Sequence, residues 1–179
     1  IGDSTKPKTT VMLFAASIVT ASYMTSSSEY SYVVHDDGTI TITGYSGNDP
    51  TLSIPSTIDN RDVVGIGDEV FYQAGWLESV SIPQGVTSIG TRAFSTCSNL
   101  TSVTLPDSLV RVGDQAFRTC VGLTTLTIPS GVETIGARAF SDCSGLTDLT
   151  LSTALTSIGD LAFCDCAALT TIAIPAGVT

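Results

Sequence analysis

Four cysteines occupy one position of a 23-residue period, Cys97, Cys120, Cys143 and Cys166, and a fifth, Cys164, lies two residues before the last. Stacked in register, such thiols come within about 5 Å of one another, close enough in principle for disulfide geometry. The other use of the column is a ladder of small buried apolar groups, since an unpaired cysteine is among the most buried residue types. Ala74 fills the slot once, and the ladder is the expectation. Cys164-Asp165-Cys166 is a lone C-x-C without the second pair of a zinc site, so no metal is expected. Cys164 is the thiol expected to be reactive or partly exposed.

Other chemistry finds little support in these residue types. His35 is the only histidine. It stands beside Asp36 and Asp37 in an expected hairpin turn, where a solvated side chain is the better reading than a Ser-His-Asp triad. No recurring pair of carboxylates marks a glycosidase cleft. Asp36, Asp37, Asp49, Asp59 and Asp62 do not follow the oxygen-ligand spacing of a calcium loop. Each glycine of the Gly90 type stands alone, so no loop cradles a phosphate. The expectation is a chain with no catalytic residues and no cofactor.

The elements that position the cysteines repeat with them. Pro83, Pro106, Pro129 and Pro175 recur at the period, with Ser152 in the fourth slot, and seven places after the first four of these positions stand Gly90, Gly113, Gly136 and Gly159. Then come the pairs Ala93-Phe94, Ala116-Phe117, Ala139-Phe140 and Ala162-Phe163, and the cysteine three residues later. Self-similarity at such a period is the signature of a solenoid, in which each coil buries its apolar side chains only against its neighbours.

Each position of the repeat has a physical reading. Leu100, Val103 and Leu105 have the spacing L-x-x-V-x-L, matched by Leu123, Leu126 and Ile128, by Leu146, Leu149 and Leu151, and by Leu169, Ile172 and Ile174. That spacing places apolar residues inside a short strand. Proline ends the strand, because it cannot donate a ladder hydrogen bond. Ile89, Val112, Ile135 and Ile158 return the chain to the core, and the glycine after each supplies a backbone geometry that a side chain would hinder. Asp68, Thr91, Asp114 and Asp160 are suitable N-caps for a single helical turn carrying the Ala-Phe pair. Phe71, Phe94, Phe117, Phe140 and Phe163 form an expected aromatic spine.

The pattern Leu-x-x-Val-x-Leu-Pro-x-x-Val-x-x-Ile-Gly-x-x-Ala-Phe-x-x-Cys resembles the BspA-type leucine-rich repeat of bacterial and protist surface proteins, also seen in treponemes. The resemblance covers residues 52–179, with about ten positions agreeing in each of four copies. The lead-in Thr39-Ile-Thr-Ile-Thr-Gly-Tyr45 before Leu52-Ser-Ile-Pro55 is similar to how such domains begin. Ser152-Thr153-Ala154 departs from the Pro-x-x segment and is expected to loosen one turn; Ala74 departs at the Cys slot. The resemblance implies a secreted or surface-anchored module for adhesion and protein–protein contact, without intrinsic catalysis. The expected fold is a right-handed leucine-rich-repeat solenoid over residues 51–179, an α/β repeat with a parallel β-sheet on one face and short helical or 3-10 turns on the other.

Two segments precede the repeats. Residues 1–28 have the layout of a secretory signal peptide and a Ser/Thr linker. Lys6 and Lys8 come before the apolar run Val11-Met-Leu-Phe-Ala-Ala-Ser-Ile-Val19, and small residues follow. The run is too short for the roughly 20 apolar residues of a membrane span. Residues 29–50 read as an N-terminal β-hairpin cap, with Asp37-Gly38 at the turn. Pro55 to Pro83 is 28 residues, five more than the period. A longer turn or small hairpin at Asp59-Asn60-Arg61-Asp62 absorbs the excess.

Net charge -10 and pI near 4.1 argue against nucleic acid, which needs a basic face, and the scattered arginines argue against an anionic membrane surface. Localisation is expected to be secreted or at the cell surface. The outward strand residues form hydroxyl columns, and the expected ligand-binding face is Thr101, Thr104, Thr124, Thr127, Thr147, Asp148 and Thr150. The expected partner is a protein or glycan of another cell or of the extracellular matrix. The alternatives are a passive spacer displaying other domains, or an ice-binding threonine ladder, of which Thr125-Leu126-Thr127 is one intact Thr-x-Thr. The chain stops at Val178-Thr179 a few residues into a coil, so further repeats are expected beyond it, and the uncapped edge opens a route to end-to-end self-association. Asn99-Leu100-Thr101 is a glycosylation sequon.

Overall fold

The computed structural model describes residues 25–27 and 29–179; the signal-peptide layout lies outside these residues. Successive coils stack 23 residues apart and bond through two sets of parallel strands. The first set is the expected one: β4 (Thr51–Ser53), β7 (Ser79–Ser81) and β9 (Ser102–Thr104) form one sheet, and β11 (Thr125–Thr127) and β13 (Asp148–Thr150) another. Their registers pair Val80 with Val103 and Leu126 with Leu149. No ladder joins β9 to β11.

The second set is the longer and was not separated from the core positions by the sequence pattern. β6 (Arg61–Ile66), β8 (Ser88–Ile89), β10 (Arg111–Val112), β12 (Thr134–Ile135) and β14 (Ser157–Ile158) run side by side in parallel. Strands two residues long show no alternation to read. Ile66, Ile89, Val112 and Ile135 fill the core from this side.

The expected hairpin is present. β2 (Tyr30–Val34) and β3 (Ile40–Tyr45) pair antiparallel. Gly38 is left-handed at the turn (φ 84), and the Asp37 carboxylate accepts from the Thr39 amide at 2.9 Å and its hydroxyl at 2.7 Å. β3 then pairs parallel with β6, which joins the hairpin to the long sheet. Thr25–Ser27, read from sequence as linker, is instead a strand, β1, antiparallel to β2. The first coil's insertion folds into a small hairpin: β5 (Thr57–Ile58) pairs antiparallel with β6. Asp59 and Asn60 both hold positive φ (51 and 59), the geometry of a two-residue turn matched to strand twist.

The third run of each coil corrects the expectation of a helical turn. No helix occurs among the described residues. The Ala-Phe segment is a chain of overlapping turns in which alternate amides have different destinations. Ala93, Ser95 and Cys97 donate three residues back, to Gly90, Arg92 and Phe94. Between them Arg92, Phe94 and Thr96 donate to Asp114, Ala116 and Arg118 of the next coil. A helix would keep all of these donors inside one segment; here half of them tie coils together. The geometry needs left-handed residues at Arg92 (φ 56) and Thr96 (φ 64), and at their equivalents in every coil. The aspartates expected as N-caps also act between coils: Asp68 accepts from the Thr91 amide at 2.7 Å and Asp114 from the Ala137 amide at 2.8 Å.

The phenylalanine spine forms as expected. Phe71, Phe94, Phe117, Phe140 and Phe163 stack with centroid spacings of 4.9, 5.1, 5.4 and 5.5 Å and interplanar angles of at most 9°. Ser152 does not loosen its turn. Its hydroxyl donates to the Ser130 carbonyl at 3.0 Å and accepts from the Ala154 amide at 3.1 Å, while the Ser152 carbonyl takes the Leu155 amide as the prolines take theirs.

The recurring glycine is also explained differently. Gly90, Gly113, Gly136 and Gly159 all lie outside the left-handed region, so backbone freedom is not the reason. A Cβ at any of them would stand 2.6–2.8 Å from the carbonyl carbon of the preceding coil's glycine. The glycine is there for space. Gly113→Ala is therefore expected to lower stability by about 1–3 kcal/mol, the range for overpacking. Gly75→Ala, whose added methyl meets nothing within 4 Å, is expected to leave the thermal midpoint nearly unchanged. Equal losses at the two positions, measured by thermal denaturation, would contradict the close-approach account.

Candidate functional site

The strand face displays all seven expected ligand residues. Thr101, Thr104, Thr124, Thr127, Thr147, Asp148 and Thr150 are exposed. They do not form one continuous field. Thr104 ends the β4-β7-β9 sheet, and Thr127, Asp148 and Thr150 belong to the β11-β13 sheet on the other side of the missing ladder. Within each sheet the columns are in register: Ser81 beside Thr104, Thr127 beside Thr150, and Thr125 beside Asp148.

The hydroxyls differ in what they have free. Thr101 donates to the Glu78 carbonyl at 3.0 Å and Thr147 to the Thr124 carbonyl at 3.1 Å. These two side chains stitch coils together and have spent their donors. Thr104, Thr127 and Thr150 make no side-chain hydrogen bond among the described residues, so both donor and acceptor capacity face solvent. Thr51 and Ser53 flank Leu52 on β4 and extend the field by one coil. Sequence reasoning omitted them, although Leu52-Ser-Ile-Pro55 repeats Val80-Ser-Ile-Pro83 and could have shown them.

The cysteine column is buried, and the thiols have one shared task. Cys97, Cys120, Cys143 and Cys166 each donate to the carbonyl of the phenylalanine 26 residues earlier, Phe71, Phe94, Phe117 and Phe140, at 3.1–3.2 Å. Burial pushes the Cys97 and Cys143 thiols up to about 12 and raises Cys120 and Cys166 in the same direction. Thiolate is the reactive form, and this environment disfavours it. Cys164 is partly exposed, as expected. Its thiol donates to the Asp165 carboxylate at 3.2 Å, and that hydrogen bond, followed by burial and the charges of Asp165 and Asp142, holds its pKa above the ordinary value. The same neighbours disfavour the reactivity expected of it.

His35 is exposed and its Nε2 lies 2.8 Å from the Thr41 hydroxyl. No group of three or more His, Cys, Asp or Glu side chains among the described residues is arranged to hold a metal ion. Two surface ion pairs are present, Arg92 to Glu69 at 3.3 Å and Arg118 to Asp142 at 3.1 Å. Both join neighbouring coils.

Residues 64–179 match the BspA type leucine rich repeat region in six copies, and the chain belongs to that family. The solved leucine rich repeat protein of T. pallidum (TpLRR) is 35% identical, with a TM-score of 0.81 over 85% of this chain and 72% of that one. A leucine rich cell surface protein of Faecalibacterium prausnitzii is 34% identical, with a TM-score of 0.68 over 87% of this chain, which spans 49% of that protein. The pneumococcal vaccine antigen PcpA, at 22% identity and a TM-score of 0.62 over 84% of this chain and 41% of that one, shares the fold. Among curated proteins none matches the chain.

Two outcomes test the thiol geometry. Native protein at about pH 8 is expected to take up alkylating reagent at Cys164 alone. Asp165→Asn should speed that reaction severalfold, because losing the carboxylate lowers the thiol's pKa and raises its thiolate fraction. Equal labelling of the column in folded protein would refute the burial account. The second outcome concerns alkali. A folded thiol at about 12 against an ordinary 9.0 contributes stability that is whole below pH 9 and is lost as pH rises toward 12. Denaturant midpoints should fall across that window, and fall less in Cys97→Ala/Cys143→Ala.

Proposed function

We propose that this chain is a secreted or cell-surface interaction module that contacts a protein or glycan of another cell or of the extracellular matrix through its hydroxyl-rich strand face. The observation that carries the reading is the row of exposed, unbonded hydroxyls at Thr104, Thr127 and Thr150, with Thr104 in register beside Ser81 and Thr127 in register beside Thr150. Such a row offers an extended partner many equivalent weak contacts, so that affinity accumulates along the solenoid instead of residing in one pocket. The family is generally non-enzymatic, and a relative described as a cell surface protein supports display outside the cell. Asp148 adds the one carboxylate of the expected face and favours a partner with a donor or a positive group at that register.

The test is binding of the intact chain to immobilised matrix proteins and to whole cells, beside Thr104→Arg/Thr127→Arg. Both side chains face solvent, so the variant should keep the thermal midpoint of the wild type. Binding is expected to fall at least tenfold, because two bulky charged groups interrupt the face on either side of the open ladder. Undiminished binding by a folded variant would remove the strand face as the contact surface and move the site to the Asp59–Asp62 insertion or the opposite side of the solenoid; binding by neither protein would leave the spacer reading.

A further inference from the structure

The polar aromatic residues cluster where the hairpin meets the first coil. Tyr30 and Tyr45 lie with ring centroids 4.8 Å apart and tilted by 40°. Tyr45 also meets Trp76 at 5.8 Å, tilted by 44°, and Phe71 at 5.6 Å. The Tyr45 hydroxyl donates to the Asp49 carboxylate at 2.6 Å and stands 3.4 Å from that of Glu29. Both carboxylates are exposed and the three rings are half-buried. Tyr72, 42% exposed, stands four residues before Trp76.

We propose that the surface formed by Tyr30, Tyr45, Trp76, Glu29 and Asp49 is a second docking site, distinct from the strand face, that takes arginine side chains of a basic partner protein. Charge complementarity carries the choice of occupant. Two carboxylates converge on one hydroxyl, which has a single proton to give, and neither carboxylate pairs with a cation among the described residues. The burial and neighbouring carboxylates that raise the Tyr30 pKa to about 12 describe the same negative field. A guanidinium is the cation that matches both halves of the surface, since its plane stacks on aromatic faces while its N–H fork takes carboxylate oxygens. Elsewhere the described aromatic side chains serve the core: the phenylalanines stack in the spine, and Tyr32 is buried with its hydroxyl on Asp59 at 2.5 Å.

Trp76 is the single tryptophan of the chain and reports on its own surroundings. The full chain is titrated with a synthetic peptide of alternating arginine and glycine while its fluorescence is followed, with a citrulline-for-arginine peptide as the uncharged control. Glu29→Gln/Asp49→Asn is compared with Asp107→Asn/Asp160→Asn, which removes the same charge at exposed positions of later coils; circular dichroism confirms that both are folded. A saturable fluorescence change with the arginine peptide alone is expected, with binding roughly tenfold weaker in the first variant and unchanged in the second. Equal weakening in both variants would show attraction to net charge only and overturn the site. So would no fluorescence response to the arginine peptide, or an equal response to the citrulline peptide or to a neutral oligosaccharide.

Discussion

In-register stacking is the constraint on which the rest of the structure depends. Position i of one coil meets position i+23 of the next, so outside the gap between β9 and β11 each coil's backbone donors and acceptors find the same partners as its predecessor's. This holds only if the coils can approach closely. The column Gly67, Gly90, Gly113, Gly136, Gly159 permits that approach, because backbone passes within a few ångströms of where a Cβ would stand. Once the spacing is set, the phenylalanine rings fall into face-to-face contact and the cysteine thiols reach carbonyls of the coil before.

The same constraint accounts for backbone that would be unfavourable in isolation. Ten non-glycine residues in the turn segments, five at the Arg92 position and five at the Thr96 position, are left-handed. Such a conformation costs an ordinary residue about 1–2 kcal/mol. Inter-coil hydrogen bonds from the Arg92 and Thr96 amides offset that cost in a way that a lone coil has no means to do. Surface side chains join in: Arg92 to Glu69, Arg118 to Asp142 and Asn99 to the Gly75 carbonyl all bridge neighbours. Exposed pairs of this kind are individually weak.

Much of this was legible from spacing. The period exposes the solenoid, the spine and the thiol column, because a buried position repeated every coil must keep its chemistry. Asp37-Gly38 and the insertion at Asp59-Asn60 announce their turns by residue type. The turn segment was not legible as such: Asp114 followed by Ala116-Phe117 carries local helix-start signals, while the bonds that defeat a helix run to residues 22 positions away. For the strand face, sequence placed Thr101 and Thr104 together as outward residues. It had no means to show that the Thr101 hydroxyl is already bonded to Glu78 and that of Thr104 is free. Tyr30, Tyr45 and Trp76 are too far apart in the chain to read as a cluster; the β2–β3 ladder sets Tyr30 opposite Tyr45, and packing of the hairpin on the first coil brings Trp76 to them.

The constant offset between bonding partners has a genetic consequence. Removing or duplicating one whole coil leaves every remaining donor opposite an acceptor of the same kind, so recombination between repeats can change the length of the module without creating a misfit. A one-residue slip within a coil displaces an entire row of partners, whereas the extra residues of the first coil were absorbed by a hairpin that projects from the edge of β6. Selection on such a module can therefore act on how far it reaches independently of how well each coil folds.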